Sequence, residues 1–240
     1  MTTLPSALRL LMGRSTSEAS ALQGGLDLGS TASSRPVDSV AKRGMDLVGA
    51  IGGLILLAPL MALVALLVRL EGGGPVFFRQ KRAGLGGSTF TCLKFRTMVA
   101  DAERRLDELE SRNESDSGVL FKIKDDPRVT PLGRLLRKTS LDELPQLWNV
   151  LVGEMSLIGP RPLQLRDSER LRAIDPTGSS RRLSVLPGLS GPWQVAGRSE
   201  VDGLRMLDLD LDYIDQWSLG RDLALIARTL AVVCSGRGAC

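Results

Sequence analysis

The sequence predicts a small α/β domain, mostly helical, that follows an N-terminal membrane helix. Three observations predict this fold: a long uncharged run at Leu47–Val68, two strand-like runs directly after it, and a series of amphipathic segments further on. Residues 1–38 are rich in Ser, Thr, Gly and Ala, and their one apolar run is too short and too polar for a signal-peptide core. We therefore divide the chain into a flexible tail (1–38), a membrane helix (39–70) and a domain (71–240).

The uncharged run, LVGAIGGLILLAPLMALVALLV, is long enough to cross a bilayer core of about 30 Å at about 1.5 Å per residue. Hydropathy by itself favours a simple transmembrane helix. Two features favour a re-entrant helix instead. Pro59 lies at the middle, where it removes a backbone hydrogen bond and kinks a helix. Both flanks are also basic, whereas the positive-inside rule expects one basic flank; the flanking cations are Arg35, Lys42 and Arg43 before the run and Arg69, Arg79, Lys81 and Arg82 after it. We therefore hypothesise that the segment bends at Pro59 and returns to the same membrane face.

The remaining elements follow from local patterns. The runs Val76–Arg79 and Thr89–Phe95 are typical of two short strands joined by a Gly-rich turn. Ser140–Val152 is amphipathic, with Leu and Trp side chains along one side and Gly153 as a plausible end. Further helical patterns cover 99–112, 128–138, 204–217 and 221–233, and turn-rich segments cover 159–162 and 187–198.

The chain contains no histidine, and this absence excludes a Ser-His-Asp or Cys-His nucleophile. A metal site would therefore be lined by oxygen, which favours magnesium or manganese. The three cysteines have no metal-like spacing and indicate a reducing compartment. A net charge of +4 points to an anionic partner, while five Phe, three Trp and one Tyr are few for a protein that stacks nucleic-acid bases.

The tetrapeptide Ser140-Leu-Asp-Glu143 fits a capping box at a helix start. From spacing alone, the favoured interpretation is structural: Asp142 and Glu143 complement a helix dipole. The alternative is chemical. Two adjacent carboxylates could hold a divalent cation and present one oxygen to an electrophilic phosphorus. Asp125-Asp126-Pro127, a second acidic pair, is more typical of a turn than of a metal site.

Cationic residues lie on both sides of this pair in the sequence. Taken singly, each is more typical of a solvated surface charge. Arg161 is a stronger candidate, because Pro160 and Pro162 restrict its backbone and a rigid arginine suits bidentate phosphate binding. The cations are Lys94, Arg96, Arg128, Arg134, Arg137, Lys138, Arg161 and Arg198.

From Lys42 onwards the chain resembles the bacterial sugar transferases, also called monotopic phosphoglycosyl transferases or polyprenyl-phosphate hexose-1-phosphate transferases. The resemblance rests on a series of motifs in a fixed order, which is far more specific than any one of them. The motifs are KRGMDL (42–47), GPVFFRQKR (74–82), KFRTM (94–98), DPRVTPLGRLLRKTSLDELPQLWNVLVGEMSLIGPRP (126–162), PGLSGPWQVAGR (187–198) and DLDYIDQWSLGRDL (210–223).

The resemblance implies a re-entrant membrane helix that breaks at Ala58-Pro59, a cytoplasmic catalytic domain and amphipathic helices at the membrane surface. It also implies location at the bacterial inner membrane, with the domain facing the cytoplasm. A homodimer would be compatible with it. The rival hypothesis is a non-catalytic membrane-anchored scaffold with a basic face that binds lipid or protein.

The resemblance also implies a reaction and its residues. Asp142 would attack the β-phosphate of a UDP-sugar, UMP would leave, and the phosphosugar would pass to polyprenyl (undecaprenyl) phosphate, as in exopolysaccharide or capsule assembly. Mg²⁺ would lie at Asp142 and Glu143. The implied substrate-binding residues are Lys94, Arg96, Arg137, Arg161, Gln194 and Arg198, with Asp210 as an acceptor of the proton. Nothing in the sequence identifies the sugar.

Overall fold

The computed structural model describes residues 39–99, 101–105, 118–120, 123, 125–197 and 201–235. The predicted tail, most of the predicted helix 99–112 and Arg198 lie outside these residues. The described part is mostly helical and contains two small two-stranded sheets, which agrees with the predicted fold class. The helices are α1 (Val40–Glu71), α2 (Pro131–Thr139), α3 (Gln146–Val152), α4 (Leu165–Ile174), α5 (Pro176–Arg182), α6 (Pro192–Ala196), α7 (Gly203–Asp215) and α8 (Leu219–Ser235).

Helix α1 contains the uncharged run and has Pro59 inside it. It begins after Ser39, whose side chain accepts a hydrogen bond from the Lys42 amide and so caps the helix. Within the described residues, it is the one helix whose length and composition would allow it to cross a membrane. Only 11% of its apolar stretch of 18 residues is buried. Because a core helix of a soluble protein buries its apolar side chains, the exposure of Val48, Ile55 and Leu56 indicates membrane association.

The N-terminal end of α1 is bonded to the rest of the domain by buried polar contacts. Lys42 Nζ lies 2.7 Å from Asp222 Oδ2 and donates to the Ile158 carbonyl at 2.9 Å. One turn later, Asp46 accepts hydrogen bonds from the Ser156 hydroxyl and the Leu157 amide, both at 2.9 Å. Arg43, counted above as a flanking charge, donates to the last carbonyls of α3. Two of the predicted flanking cations therefore bind the domain.

The C-terminal end of α1 is bonded to the same domain. Glu71 accepts from the Thr130 hydroxyl at 2.8 Å and from the Leu132 amide at 2.9 Å, next to the start of α2. Val64 and Val68 are buried against a cluster that includes Phe95. Both ends of the apolar helix are thus attached to one domain.

Strands β1 (Phe77–Ala83) and β2 (Thr89–Phe95) form an antiparallel hairpin, with Phe77 opposite Phe95 and Ala83 opposite Thr89. The two predicted strands are confirmed, although β1 continues four residues beyond the predicted end. Helices α2, α7 and α8 also lie where the hydrophobic pattern predicts helices, and α3 occupies the second half of the predicted helix 140–152. Gly153 ends α3 with a φ of 90°, as predicted.

The second sheet was not predicted. Strands β3 (Ser156–Ile158) and β4 (Gly188–Ser190) pair in parallel, with Ser156 opposite Gly188. Gly159 and Gly188 let the two backbones approach closely, because a Cβ on Gly188 would lie 2.1 Å from the Gly159 nitrogen. This close pairing sets the course of the segment 159–162, which carries Arg161.

Candidate active site

Asp142 and Glu143 lie on a short 3-10 turn, Leu141–Glu143, between α2 and α3. The capping-box prediction was wrong. Ser140 has a left-handed backbone (φ 57°, ψ 16°), its side chain caps nothing, and its N–H donates to the carbonyls of Leu136 and Arg137. Ser140 therefore ends α2, and it cannot also take the extended conformation that an N-cap residue requires. The turn presents the two carboxylates at the junction of the helices.

The two carboxylates have unequal surroundings. Glu143 Oε1 accepts from Lys94 Nζ at 2.6 Å and from Arg161 Nη2 at 3.1 Å, so two cations hold it. Asp142 is more deeply buried, 6% exposed, and its Oδ2 lies 3.8 Å from Lys94 Nζ, too far for a hydrogen bond. Among the described residues, no hydrogen bond restrains the Asp142 carboxylate. Glu143 is thus held by two cations, whereas Asp142 has only the longer contact with Lys94.

The electrostatics of the pair follow this geometry. Burial raises the pKa of Asp142 above its ordinary value, and the Glu143 charge adds to the rise, while Lys94 and Arg137 oppose it. Burial would also raise the pKa of Glu143, but Lys94 and Arg161 outweigh it, and the pKa of Glu143 lies well below its ordinary value. The pKa values of the two adjacent carboxylates are therefore shifted in opposite directions.

Arg161 is held on two sides. Its guanidinium carbon lies 4.9 Å from the centroid of the Trp193 ring, within the range of a cation–π contact, and Nη2 reaches Glu143. Pro160 and Pro162 on either side are buried. These contacts hold the Arg161 guanidinium beside the dyad.

Two other predicted phosphate ligands differ in their surroundings. Arg137 lines the same cavity as the dyad, and its Nε donates to the Thr97 hydroxyl at 3.0 Å. Arg96 Nη2 donates to the carbonyls of Val68 and Gly72, at 3.0 and 2.6 Å. A cation at these last carbonyls complements the dipole of α1. Arg96 is therefore bonded to the end of the membrane helix, while Lys94, Arg137 and Arg161 surround the dyad.

The predicted residues in the C-terminal half lie deeper. Gln194 is 6% exposed and its Nε2 lies 3.5 Å from the Leu189 carbonyl, at the edge of the cavity. Asp210 is fully buried, and its Oδ2 accepts from Arg182 Nε at 2.7 Å. Arg198 lies outside the described residues.

A cavity of about 1610 Å³ joins the dyad to the membrane helix. Its polar end is lined by the carboxylates and cations described above. Its apolar end is lined by side chains from α1 and α8. The lining includes Lys94, Arg137, Asp142, Glu143 and Arg161, and, at the apolar end, Val48, Leu57, Ile226, Leu230 and Val233. The site can therefore hold a molecule that is anionic at one end and apolar at the other.

A family model described as bacterial sugar transferase matches residues 37–236. The chain belongs to the bacterial sugar transferase family. This match confirms the resemblance drawn from the motifs, and it covers every described residue. The motif residues that meet in this sugar transferase come from two separate motifs: Lys94 from KFRTM, and Asp142, Glu143 and Arg161 from the long motif 126–162.

Curated relatives of this sugar transferase have closely similar sequences. "Exopolysaccharide production protein ExoY" of Sinorhizobium fredii is 42% identical over 211 residues, 87% of this chain and 92% of the relative. "UDP-glucose:undecaprenyl-phosphate glucose-1-phosphate transferase" of Caulobacter vibrioides is 42% identical over 194 residues, 79% of this chain and 68% of the relative. "Undecaprenyl-phosphate galactose phosphotransferase" of Salmonella typhimurium is 42% identical over 206 residues, 82% of this chain and 41% of the relative.

Sequence reasoning missed two arginines that contact the Arg161 segment. Arg182 donates from Nη2 to the Arg161 carbonyl, and Arg82 donates from Nη1 to the Pro162 carbonyl. Arg82 was counted only as a flanking charge. Arg182 stands beside Arg181 in a polar helix, and no local signal separates the buried arginine from its exposed neighbour.

Proposed function

We propose that this sugar transferase moves a hexose-1-phosphate from a UDP-sugar to polyprenyl (undecaprenyl) phosphate and releases UMP. The reaction would be the first membrane step in assembling an exopolysaccharide, capsule or other glycoconjugate. The activities named for the relatives from Caulobacter and Salmonella support the reaction class. The single observation that carries the proposal is the buried, unrestrained Asp142 carboxylate beside Glu143 and its two cations.

In the first step, a carboxylate oxygen of Asp142 attacks the β-phosphorus of the UDP-sugar. The bond between the β-phosphorus and the oxygen that bridges to the α-phosphorus breaks, and UMP leaves with that oxygen and its electron pair. The sugar phosphate stays on Asp142 as an acyl phosphate. Lys94 and Arg161 are placed to stabilise the negative charge on the phosphate oxygens.

In the second step, a phosphate oxygen of the polyprenyl phosphate attacks the same phosphorus. The bond to Asp142 breaks, and the carboxylate is regenerated as the polyprenyl-diphospho-sugar forms. Neither step deprotonates an alcohol, because the attacking groups are a carboxylate and a phosphate and the leaving groups are a phosphate and a carboxylate. No strong base is therefore required, and this agrees with the lack of histidine. The cavity that runs from the dyad to apolar residues of α1 and α8 suits an acceptor with a charged head and an apolar chain.

The donor set at the dyad fits Mg²⁺ as the cofactor. The described residues contain no group of three or more acidic or cysteine side chains that could hold a metal by themselves. Mg²⁺ is commonly bound by one or two carboxylates together with substrate phosphates and water, and Asp142 and Glu143 would supply those carboxylates. When bound, Mg²⁺ would neutralise charge on the diphosphate.

We also propose that α1 is re-entrant and that the domain lies on the cytoplasmic face of the inner membrane. The support is that Lys42 and Glu71, at opposite ends of the helix, are both bonded to the same domain. A helix that crossed a core of about 30 Å would carry its two ends to opposite faces. Pro59 supplies a site for the bend.

Topology can be tested by cysteine labelling in whole cells, in a variant that lacks the three native cysteines. Ser30→Cys and Gly73→Cys place one thiol on each side of α1. For a re-entrant helix, a reagent that cannot cross the membrane labels neither thiol until the cells are permeabilised. Labelling of one position alone in intact cells would show that α1 spans.

The activity is tested by incubating the purified protein with Mg²⁺, polyprenyl phosphate and a panel of UDP-sugars, and measuring UMP. The panel also identifies the sugar. Asp142→Asn should abolish UMP release. Asp208→Asn, which changes an exposed aspartate on α7, is the matched control and should retain full activity. If no UDP-sugar releases UMP, the rival hypothesis of a membrane-anchored scaffold is favoured.

A further inference from the structure

All three carbonyls of the segment Pro160-Arg161-Pro162 are held by hydrogen bonds from different parts of the fold. The Gly188 amide donates to the Pro160 carbonyl at 2.8 Å. Arg182 Nη2 donates to the Arg161 carbonyl, and Arg82 Nη1 donates to the Pro162 carbonyl at 2.5 Å. We call these three contacts the carbonyl clamp. Since the two prolines also restrict φ, the backbone that carries Arg161 is fixed on both sides.

The central contact of the carbonyl clamp is made by a buried ion pair. Arg182 Nε lies 2.7 Å from Asp210 Oδ2, and the two side chains are 3% and 0% exposed. Arg182 therefore uses one edge of its guanidinium for Asp210 and another nitrogen for the Arg161 carbonyl. This forked geometry is specific to arginine. Asp210 orients Arg182, and Arg182 orients the Arg161 backbone.

Neither member of this pair lines the described part of the cavity that holds the dyad, whereas Arg161 does, and both members are buried in the interior. Among the described residues, the hydrogen bond that links the pair to the site is the one to the Arg161 carbonyl, and the Asp210 carboxylate also interacts electrostatically with Arg161. Beyond this carbonyl, the Arg161 side chain rests on Trp193 and reaches Glu143.

We infer that Arg182 and Asp210 are positioning residues: through the Arg161 carbonyl, they hold the Arg161 guanidinium where the sugar diphosphate reacts. This inference rests on the proposed function, in which Arg161 binds phosphate. It assigns Asp210 a role different from the proton acceptor that the resemblance implied; that earlier assignment stays a prediction.

The informative variant is Arg182→Lys, which keeps the buried positive charge beside Asp210. A lysine has one nitrogen and cannot serve Asp210 and the Arg161 carbonyl in the same forked geometry. We expect kcat/KM for the UDP-sugar to fall about tenfold to a hundredfold, because small displacements of a positioned group have effects of this size. Arg181→Lys, at the exposed neighbouring position that pairs with Asp215, is the matched control and should leave kcat/KM unchanged.

A double-mutant cycle separates positioning from general damage to the fold. If Arg182 acts through Arg161, then adding Arg182→Lys to Arg161→Lys should change kcat/KM by no more than about twofold. Losses that multiply in the double variant would mean that Arg182 contributes independently of Arg161. That result would overturn the inference.

Hydrogen–deuterium exchange tests the carbonyl clamp without reference to activity. The amides of Gly188 and Ala83 donate to the carbonyls of Pro160 and Leu163, so they report the mobility of this segment. Both should exchange faster in Arg182→Lys and at the wild-type rate in Arg181→Lys. If both amides exchange at the wild-type rate in Arg182→Lys, Arg182 does not restrain this segment, and the inference is overturned. If the wild-type protein releases no UMP, the proposed function fails, and the exchange rates still decide whether the clamp exists.

Discussion

The contact between Lys42 and Asp222 allows a quantitative prediction about the membrane helix. Lys42 Nζ lies 2.7 Å from Asp222 Oδ2, at the junction of α1 and α8, and the side chains are 4% and 0% exposed. Lys42→Met keeps the length of the side chain and removes its charge. Asp222 would then keep the donors Tyr213 and Trp217 but lose its only cationic partner among the described contacts. The variant therefore leaves a buried, uncompensated charge.

The expected loss of stability follows from the burial of both side chains. Removing one member of a fully buried ion pair destabilises a protein by about 3–5 kcal/mol. For a chain of this size, about 1 kcal/mol shifts Tm by about 2–4 °C, so the expected loss in Tm is about 6–20 °C. Adding Asp222→Asn should recover much of the loss, because the amide is neutral and its oxygen still accepts from Tyr213 and Trp217.

Thermal unfolding of the detergent-solubilised protein, followed by size-exclusion chromatography of the heated samples, measures these shifts. The control is Arg205→Met, since Arg205 and Asp208 form an exposed pair at 3.8 Å that should contribute about 1 kcal/mol or less. A Tm of Lys42→Met within about 2 °C of the wild type would refute the reasoning, because it would mean that the pair is not buried in solution.

Four further variants, at three positions, test local geometry. Burial raises the pKa of Asp126, but the hydrogen bonds that its carboxylate accepts from the buried Arg128 outweigh burial. The pKa of Asp126 therefore lies below its ordinary value. Its stabilisation is therefore present at neutral pH and lost as the pH falls through that lowered pKa. Asp126→Asn should lower stability by about 1–3 kcal/mol at pH 7 and by less at low pH; an equal Tm difference at every pH would exclude this cause. Gly133→Ala should destabilise the protein, because the new Cβ would lie 2.1 Å from the Thr97 carbonyl oxygen; an unchanged Tm would show that α2 shifts freely. Ser140→Val should lower the free energy of unfolding by about 1–2 kcal/mol, and Ser140→Gly should leave it unchanged, because Ser140 has a φ of 57° that glycine adopts freely. Equal Tm values for the two variants would argue against the left-handed turn.

Much of the fold was predictable because its signals are local. The uncharged run located α1, alternation located β1 and β2, and apolar periodicity located α7 and α8. Strands β3 and β4 were missed because each has three residues and its partner lies about thirty positions away in the chain, so neither carries a local pattern. Helices α4 and α5 are polar and lack the apolar stripe that indicates a helix.

The motifs predicted Lys94, Asp142, Glu143 and Arg161 as site residues, and the structure places these four side chains close together. Their functional roles stay predictions. The local conformation at Ser140 was misread, because the same four residues fit a capping box whenever the preceding helix is ignored. The roles of Arg182 and Lys42 depend on burial and on partners far along the chain, which a sequence pattern does not carry.

The central claim is that Asp142 carries the phosphosugar between the two steps. The most direct measurement is to incubate the protein with Mg²⁺ and its UDP-sugar in the absence of polyprenyl phosphate, quench it, digest it and analyse the peptides by mass spectrometry. The account predicts one hexose phosphate on the peptide that contains Asp142, released when polyprenyl phosphate is added before the quench and absent from Asp142→Asn. UMP formed only in the presence of the acceptor, with no adduct on any peptide, would contradict it.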